Sequence, residues 1–336
     1  MSILKVTILG ALLASPLSYA GEITLYSHRH YPTDDQLFAK FTERSGIEVN
    51  IVKGKANELM ERLKAEGEKT PADIFITADA GRLVRAKTEG ILQSVESDVL
   101  TSRIPAQMRD SDNQWFGFTK RARVIAYAKD RVKPADLSTY ENLTDEKWKG
   151  RILVRSSSNI YNQSLMASLL SVHDENAAIE WAKGVRANMA RPPQGSDRDQ
   201  MRAVAAGLGD IAVVNTYYVG LLANSSEEKD RKVAESIGLF FPNQDGRGTH
   251  INISGGGIVK NSDNVEGAKK FLEFLVSDVA QKSFPNGSYE YAVVPDIELS
   301  GIQKSWGNFK PDMLDMAKLG ELNAKAVECF NKAGWE

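Results

Sequence analysis

Four tyrosines stand where a strand pattern gives way to a helix pattern. Tyr31 ends the run Ser27-His28-Arg29-His30-Tyr31, and Tyr161 ends Ser156-Ser157-Ser158-Asn159-Ile160-Tyr161. Tyr217 and Tyr218 end Val213-Val214-Asn215-Thr216-Tyr217-Tyr218. In open α/β sheets, ligands sit outside the carboxyl ends of the strands, at such junctions. A phenol titrates near ~10, so it ionises at neutral pH only beside a strong cationic partner. Phenolate oxygen is a hard anionic donor, and a hard trivalent cation such as ferric iron matches it. Helix N-termini favour negative charge and help a phenol ionise. Thr216 is a candidate N-cap for the Tyr217-Tyr218 helix, and Ser158 or Asn159 for the Tyr161 helix. One such tyrosine alone reads as packing or hydrogen bonding; four at three junctions read as the lining of one ligand cleft.

Other polar groups cluster around these junctions. His28 and His30 are two apart and share a side in an extended segment. His30 abuts Tyr31 and reads as a ligand, as a donor orienting one, or as an ordinary hydrogen-bonded histidine. His28 reads as hydrogen-bonded or exposed. Arg29, Arg121 and Arg123 are the basic candidates for holding a synergistic anion such as carbonate, or for balancing surplus phenolate charge. Arg121 is preferred over Arg123, and outward-facing surface arginine is the competing reading for both. Asp79 follows a strand end, where capping the next helix is its expected role. Gly255-Gly256-Gly257 lacks the spacing of a phosphate loop and reads as a place where chains cross closely. The chain has no Gly-x-Ser-x-Gly elbow, no His-Glu-x-x-His and no Walker loop.

The elements that must position these residues alternate. Strand patterns at 22–27, 47–52 and 72–77 are separated by helix patterns at 33–44 and 56–65 and followed by one at 80–88. That order implies a parallel sheet covered by helices. Residues 116–129 read as one or two extended segments. A second series comes next: strand 151–155, helices 163–172, 177–189 and 198–206, strand 210–215 and helix 219–224. Extended chain through Ile253, and helices at 265–275 and 311–330, complete the pattern. The expected fold class is α/β, with two lobes, each a mixed, mostly parallel sheet flanked by helices, hinged by extended crossing segments. The lobes are expected at 21–120 with 246–300, and at 121–245 with 301–336.

The first twenty residues differ from the rest. Lys5 precedes an apolar run from Val6 to Leu13, and Ser18-Tyr19-Ala20 supplies small residues for cleavage. This describes a cleaved secretory signal with Gly21 as the new N-terminus, and so a periplasmic protein. The run is too short to span a membrane. Without Lys5, 41 basic residues face 44 acidic ones, a balance of −3 with no basic stripe, which excludes nucleic acid as a partner. Cys329 is the only cysteine, so no disulfide closes within the chain, and no cysteine follows the signal to take a lipid.

Taken together, these residues resemble the periplasmic ferric-iron-binding proteins of ABC transporters, a bacterial transferrin-like group. The resemblance spans essentially the whole mature chain. It is carried by Tyr26-Ser27-His28-Arg29-His30-Tyr31, Pro71-Ala72-Asp73-Ile74-Phe75, Arg121-Ala122-Arg123-Val124, Asn215-Thr216-Tyr217-Tyr218 and Tyr289-Glu290-Tyr291-Ala292-Val293. It implies the type II periplasmic-binding-protein fold and Tyr217 and Tyr218 as core iron ligands. It further implies Tyr31 and Tyr161 as ligands, His30 as an occasional one, and an anion-binding or charge-balancing Arg121. Ala78 stands where the better-known branch has a glutamate ligand, which shifts weight to tyrosine. The implied partner is an inner-membrane ABC permease, the implied cargo Fe3+, the expected state a monomer, and enzymatic activity is not expected. Two rivals are a receptor of the same fold for a small anion or other solute, which thermal shifts with a solute panel would separate, and a periplasmic metalloenzyme using His28, His30 and Asp79.

Overall fold

A computed structural model describes residues 21–29, 31–299 and 301–335. The signal segment and His30 lie outside the described residues. Among the described residues nine strands form: β1 (Glu22–Ser27), β2 (Glu48–Lys53), β3 (Ile74–Ala78), β4 (Phe116–Ala128), β5 (Ile152–Leu153), β6 (Ile211–Asn215), β7 (Ile237–Phe240), β8 (Ile251–Ile258) and β9 (Tyr291–Ala292). Their order is β2-β1-β3-β8-β4-β6-β5, with β7 and β9 also paired to β4.

The early alternation of strand and helix gives parallel pairing of β1 with β2 and β3, and β5 pairs parallel with β6. The pairings of β4 and β8 are antiparallel, because these are the two strands on which the chain passes between halves. The exchange on β4 is abrupt. Ala122 still pairs with Ile251 of β8, while Arg123 pairs with Asn215 of β6. One uninterrupted strand, rather than two segments, therefore belongs to both halves.

The first helix, Pro32–Ser45, has proline in its first turn and stops at Gly46, whose φ of 69° suits glycine. Its buried Phe38 and Phe41 meet Phe271 of the helix Val265–Leu275 edge-on at 5.1 Å each. In the second half, Trp335 stacks at 6.0 Å on Trp181 and packs against Phe330 at 4.9 Å.

Two elements differ from the sequence reading. The strand expected at 151–155 is only Ile152–Leu153; beyond it the Arg155 carbonyl accepts from the Asn162 and Trp335 side chains rather than from a neighbouring strand. The helix expected at 311–330 is broken into Ala317–Glu321 and Asn323–Ala333. Its intended first turn is held elsewhere: Pro311 bridges to Thr249, and Asp312 pairs with Arg247 at 3.1 Å.

The glycine triplet lies inside β8, between β3 and β4. A Cβ at Gly255, Gly256 or Gly257 would stand 2.3, 2.4 or 2.1 Å from the carbonyl oxygen of Phe116, Phe75 or Gln114. Close approach of backbones, not phosphate binding, is what these residues permit. Gly257→Ala is expected to lower stability by at least about 1–3 kcal/mol, read by urea unfolding.

Candidate functional site

All four tyrosines begin helices. Tyr31 occupies the N-cap position of Pro32–Ser45, and Tyr161 lies in the first turn of Ile160–Leu170. There Asn159, one of the two expected caps, accepts the Tyr161 N–H at 3.0 Å. Tyr217 and Tyr218 lie in the first turn of Thr216–Ala223. The expected cap Thr216 is instead the first helical residue, with Asn215 before it making no side-chain cap bond. The Thr216 hydroxyl accepts the Ala122 N–H at 3.3 Å, which fixes this helix start to β4 at the point of strand exchange.

The phenols meet. Tyr217 donates to the Tyr161 hydroxyl at 3.2 Å, and the Tyr217 and Tyr218 rings lie 4.2 Å apart. Tyr31, from the first half, lies within electrostatic reach of Tyr161 and Tyr217 of the second. Burial, then Glu290, pushes the Tyr31 phenol well above its ordinary range, against the pull of Arg29 and Arg121. Burial, then the neighbouring Tyr161, Tyr218 and Tyr31 phenols, does the same to Tyr217. Burial raises Tyr218 too, followed by Tyr161 and Asp197. Without a cation these phenols keep their protons.

Four guanidinium groups surround the phenols. Arg121, Arg123 and Arg155 lie 5.8, 5.9 and 5.6 Å from the centre of the Tyr161 ring, and Arg29 lies 4.7 Å over Tyr31. The outward-facing reading of Arg121 and Arg123 does not hold: both are at most 2% exposed, on the face of β4 that looks into the cleft. Their partners distinguish them. Arg123 pairs with Asp197 at 2.7 Å and donates to Asn162 at 2.8 Å, and Arg155 reaches Asp197 at 3.3 Å. Arg29 pairs with Asp34 and, at 3.5 Å, with Glu290. Arg121 has only the Ser254 hydroxyl, at 3.3 Å, and its Nη2 has no partner among the described residues. Of the four guanidinium groups Arg121 is thus the one without a direct carboxylate pair among the described residues, although Glu290 and Asp79 act on it electrostatically.

Asp79 takes its expected role as a cap, accepting the Gly81 N–H at 2.9 Å. Both its oxygens also accept the Ser164 hydroxyl at 2.9 Å, and Oδ2 accepts Asn252 at 2.9 Å, so the carboxylate is engaged within the protein. His28 Nδ1 lies 3.4 Å from the Thr77 hydroxyl, in keeping with a hydrogen-bonded histidine. Among the described residues no three His, Cys, Asp or Glu side chains gather as a metal cluster.

Three contributors escape sequence reasoning. Arg155 follows β5 at the same junction as Tyr161, and the strand-end rule applied to basic residues would find it. Asp197 and Glu290 carry no such signal. Glu290 is 1% exposed, accepts Thr119 at 2.7 Å and Ser254 at 3.1 Å, and reaches Arg29 only through the tertiary fold.

Two α/β halves joined by crossing strands, with strand-end residues of both converging between them, define a two-lobed solute-binding protein of the type II periplasmic class. The chain belongs to the bacterial extracellular solute-binding protein family, whose profile matches residues 36–310. It is 52% identical over 315 residues to iron uptake protein A1 of Synechocystis, covering 94% of this chain and 88% of that one. It is 53% identical to the Trichodesmium protein IdiA (FutA), solved in complex with iron and citrate. The TM-score is 0.92, over 94% of this chain and 100% of that one. The ferric binding protein of Campylobacter jejuni is 45% identical, with TM-score 0.88, over 94% and 100% of the two chains.

Proposed function

We propose that this protein is a periplasmic carrier that captures ferric iron in the interlobe cleft and delivers it to an inner-membrane ABC permease. In this reading it turns over no substrate, it acts as a monomer, and residues 1–20 are its cleaved export signal. One lobe comprises 21–120 with 246–300 and the other 121–245 with 301–336; the change of strand partners between Ala122 and Arg123 supports that division.

The observation that carries the reading is the approach of the Tyr217 and Tyr161 hydroxyls to 3.2 Å. Two oxygens at right angles around a small hard cation, each ~2.0–2.1 Å from it, stand about 2.9 Å apart. Tyr31 and Tyr218 complete the proposed donors, and His30 is a further candidate. Four phenolates leave one negative charge in excess of Fe3+, and Arg121 supplies the positive charge that offsets it. The alternative role for Arg121, whose Nη2 has no partner among the described residues, is to hold a small synergistic anion such as carbonate beside the metal in place of one phenolate charge.

The test is metal loading followed by metal analysis and a visible spectrum. A stoichiometric ferric ion with a phenolate-to-iron absorption band is expected; a loaded protein lacking the band overturns the reading. Acid weakens binding. Burial holds the Tyr31, Tyr217 and Tyr218 phenols protonated, so each must release its proton to bind, and the apparent affinity falls by about one decade per pH unit for each phenol that ionises. A competition titration against a chelator of known proton affinity, between pH 6 and 8, measures that slope.

A further inference from the structure

On β4, Arg121 and Arg123 face the tyrosines, so Lys120 faces the other side of the sheet. There it stands directly opposite Tyr291 of β9, a cross-strand pair whose side chains share one face. Both residues line a cavity of about 170 Å³ that is walled by Pro285, Val294, Phe309 and Pro311. Tyr291 is 3% exposed, and its hydroxyl has no hydrogen-bond partner among the described residues. Its ring is held edge-on by Phe309 at 5.3 Å, so the hydroxyl is not free to swing to solvent. Burial depresses the Lys120 ammonium pKa. A polar group buried without a partner is unfavourable, and the orphaned Tyr291 hydroxyl beside the Lys120 ammonium calls for one acceptor that can serve both.

We propose that this cavity, on the reverse face of the crossing strand, is a second ligand site, and that it binds small monocarboxylates. One carboxylate oxygen accepts from the Lys120 ammonium and the other from the Tyr291 hydroxyl, with the apolar end against Phe309 and Val294. A cavity of this size accommodates a compact acid. Exposed Asp296 and Glu298 also line the cavity, so a second negative charge on the ligand is repelled. Dicarboxylates are therefore discriminated against.

The experiment tracks backbone amide signals of the metal-free full-length mature protein while sodium acetate replaces sodium chloride at constant ionic strength. Saturable shifts at Lys120, Tyr291 and Val294 are expected, with succinate binding more weakly than acetate. Tyr291→Phe keeps the ring and its packing but is expected to weaken acetate by at least about tenfold, the loss typical of a hydrogen bond to a charged group. Lys120→Met is expected to abolish the shifts. Shifts reproduced by chloride, an unsaturable response, or acetate binding unchanged in Tyr291→Phe would each overturn the site. So would acetate binding seen only in Asp296→Asn, since the chain's own carboxylate would then be the occupant.

Discussion

Tyr217→Phe is expected to weaken or abolish the visible absorption band of the iron-loaded protein and to weaken ferric binding by more than about 100-fold. Groups that merely orient a metal ligand are worth about 10–100-fold in affinity, and Tyr217 is proposed as a ligand itself. Its hydroxyl is the one that reaches Tyr161 at 3.2 Å, and its ring lies 4.2 Å from that of Tyr218. Losing it deprives the cluster of one negative charge and opens the contact between the lobe's other phenols. The substitution keeps the ring, so packing is retained and circular dichroism should be unchanged. Tyr127→Phe, on β4 against Gly238 and away from the cluster, is the control and should keep both band and affinity. A full-strength band in Tyr217→Phe would exclude Tyr217 from the coordination sphere.

Asp197→Ala has the largest expected effect on stability. Asp197 is fully buried and holds three groups: Arg123 at 2.7 Å, Arg155 at 3.3 Å and the Asn215 N–H at 2.8 Å. A buried ion pair gains little over apolar packing, but removing one member leaves the other charge buried without compensation. Here two guanidinium groups would be left beside Tyr161. A loss of about 3–5 kcal/mol is expected in urea unfolding. The surplus positive charge should also weaken capture of a trivalent cation in whatever fraction remains folded. A loss below about 1 kcal/mol would mean that Asn162 and Asn215 suffice to hold Arg123.

The sequence is most legible where local chemistry decides the outcome. Gly46 ends a helix because a left-handed residue is needed there, and Asn159 caps one because its side chain reaches the Tyr161 N–H. The four tyrosines can be found simply by looking at the residues that come after each strand. Long-range contacts are not legible. Nothing near Arg121 in sequence reveals that Glu290 and Ser254 stand behind it, or that the alternation of β4 turns it inward. The expected helix from 311 fails for a similar reason: its pattern is apolar enough, but Thr249 and Arg247 claim Pro311 and Asp312 first. Thr216 lies one position past the cap it resembles, because the Ala122 amide, distant in sequence, competes for its hydroxyl.

The unbroken run of β4 constrains how the molecule can move. Its hydrogen-bonded neighbours change between two adjacent residues, Ala122 and Arg123, with no loop between them to take up slack. The halves can swing about that line, but a sliding displacement would have to tear the ladders on both sides. Arg121 and the Arg123–Asp197 pair straddle the pivot, so they travel least when the jaws part. Tyr31 and Tyr161 ride on opposite jaws, so the distance between them changes with the swing. Tyr217 and Tyr218 follow Asn215, the β4 partner of Arg123, so an arriving ion would meet them near the pivot and gain Tyr31 as the jaws close.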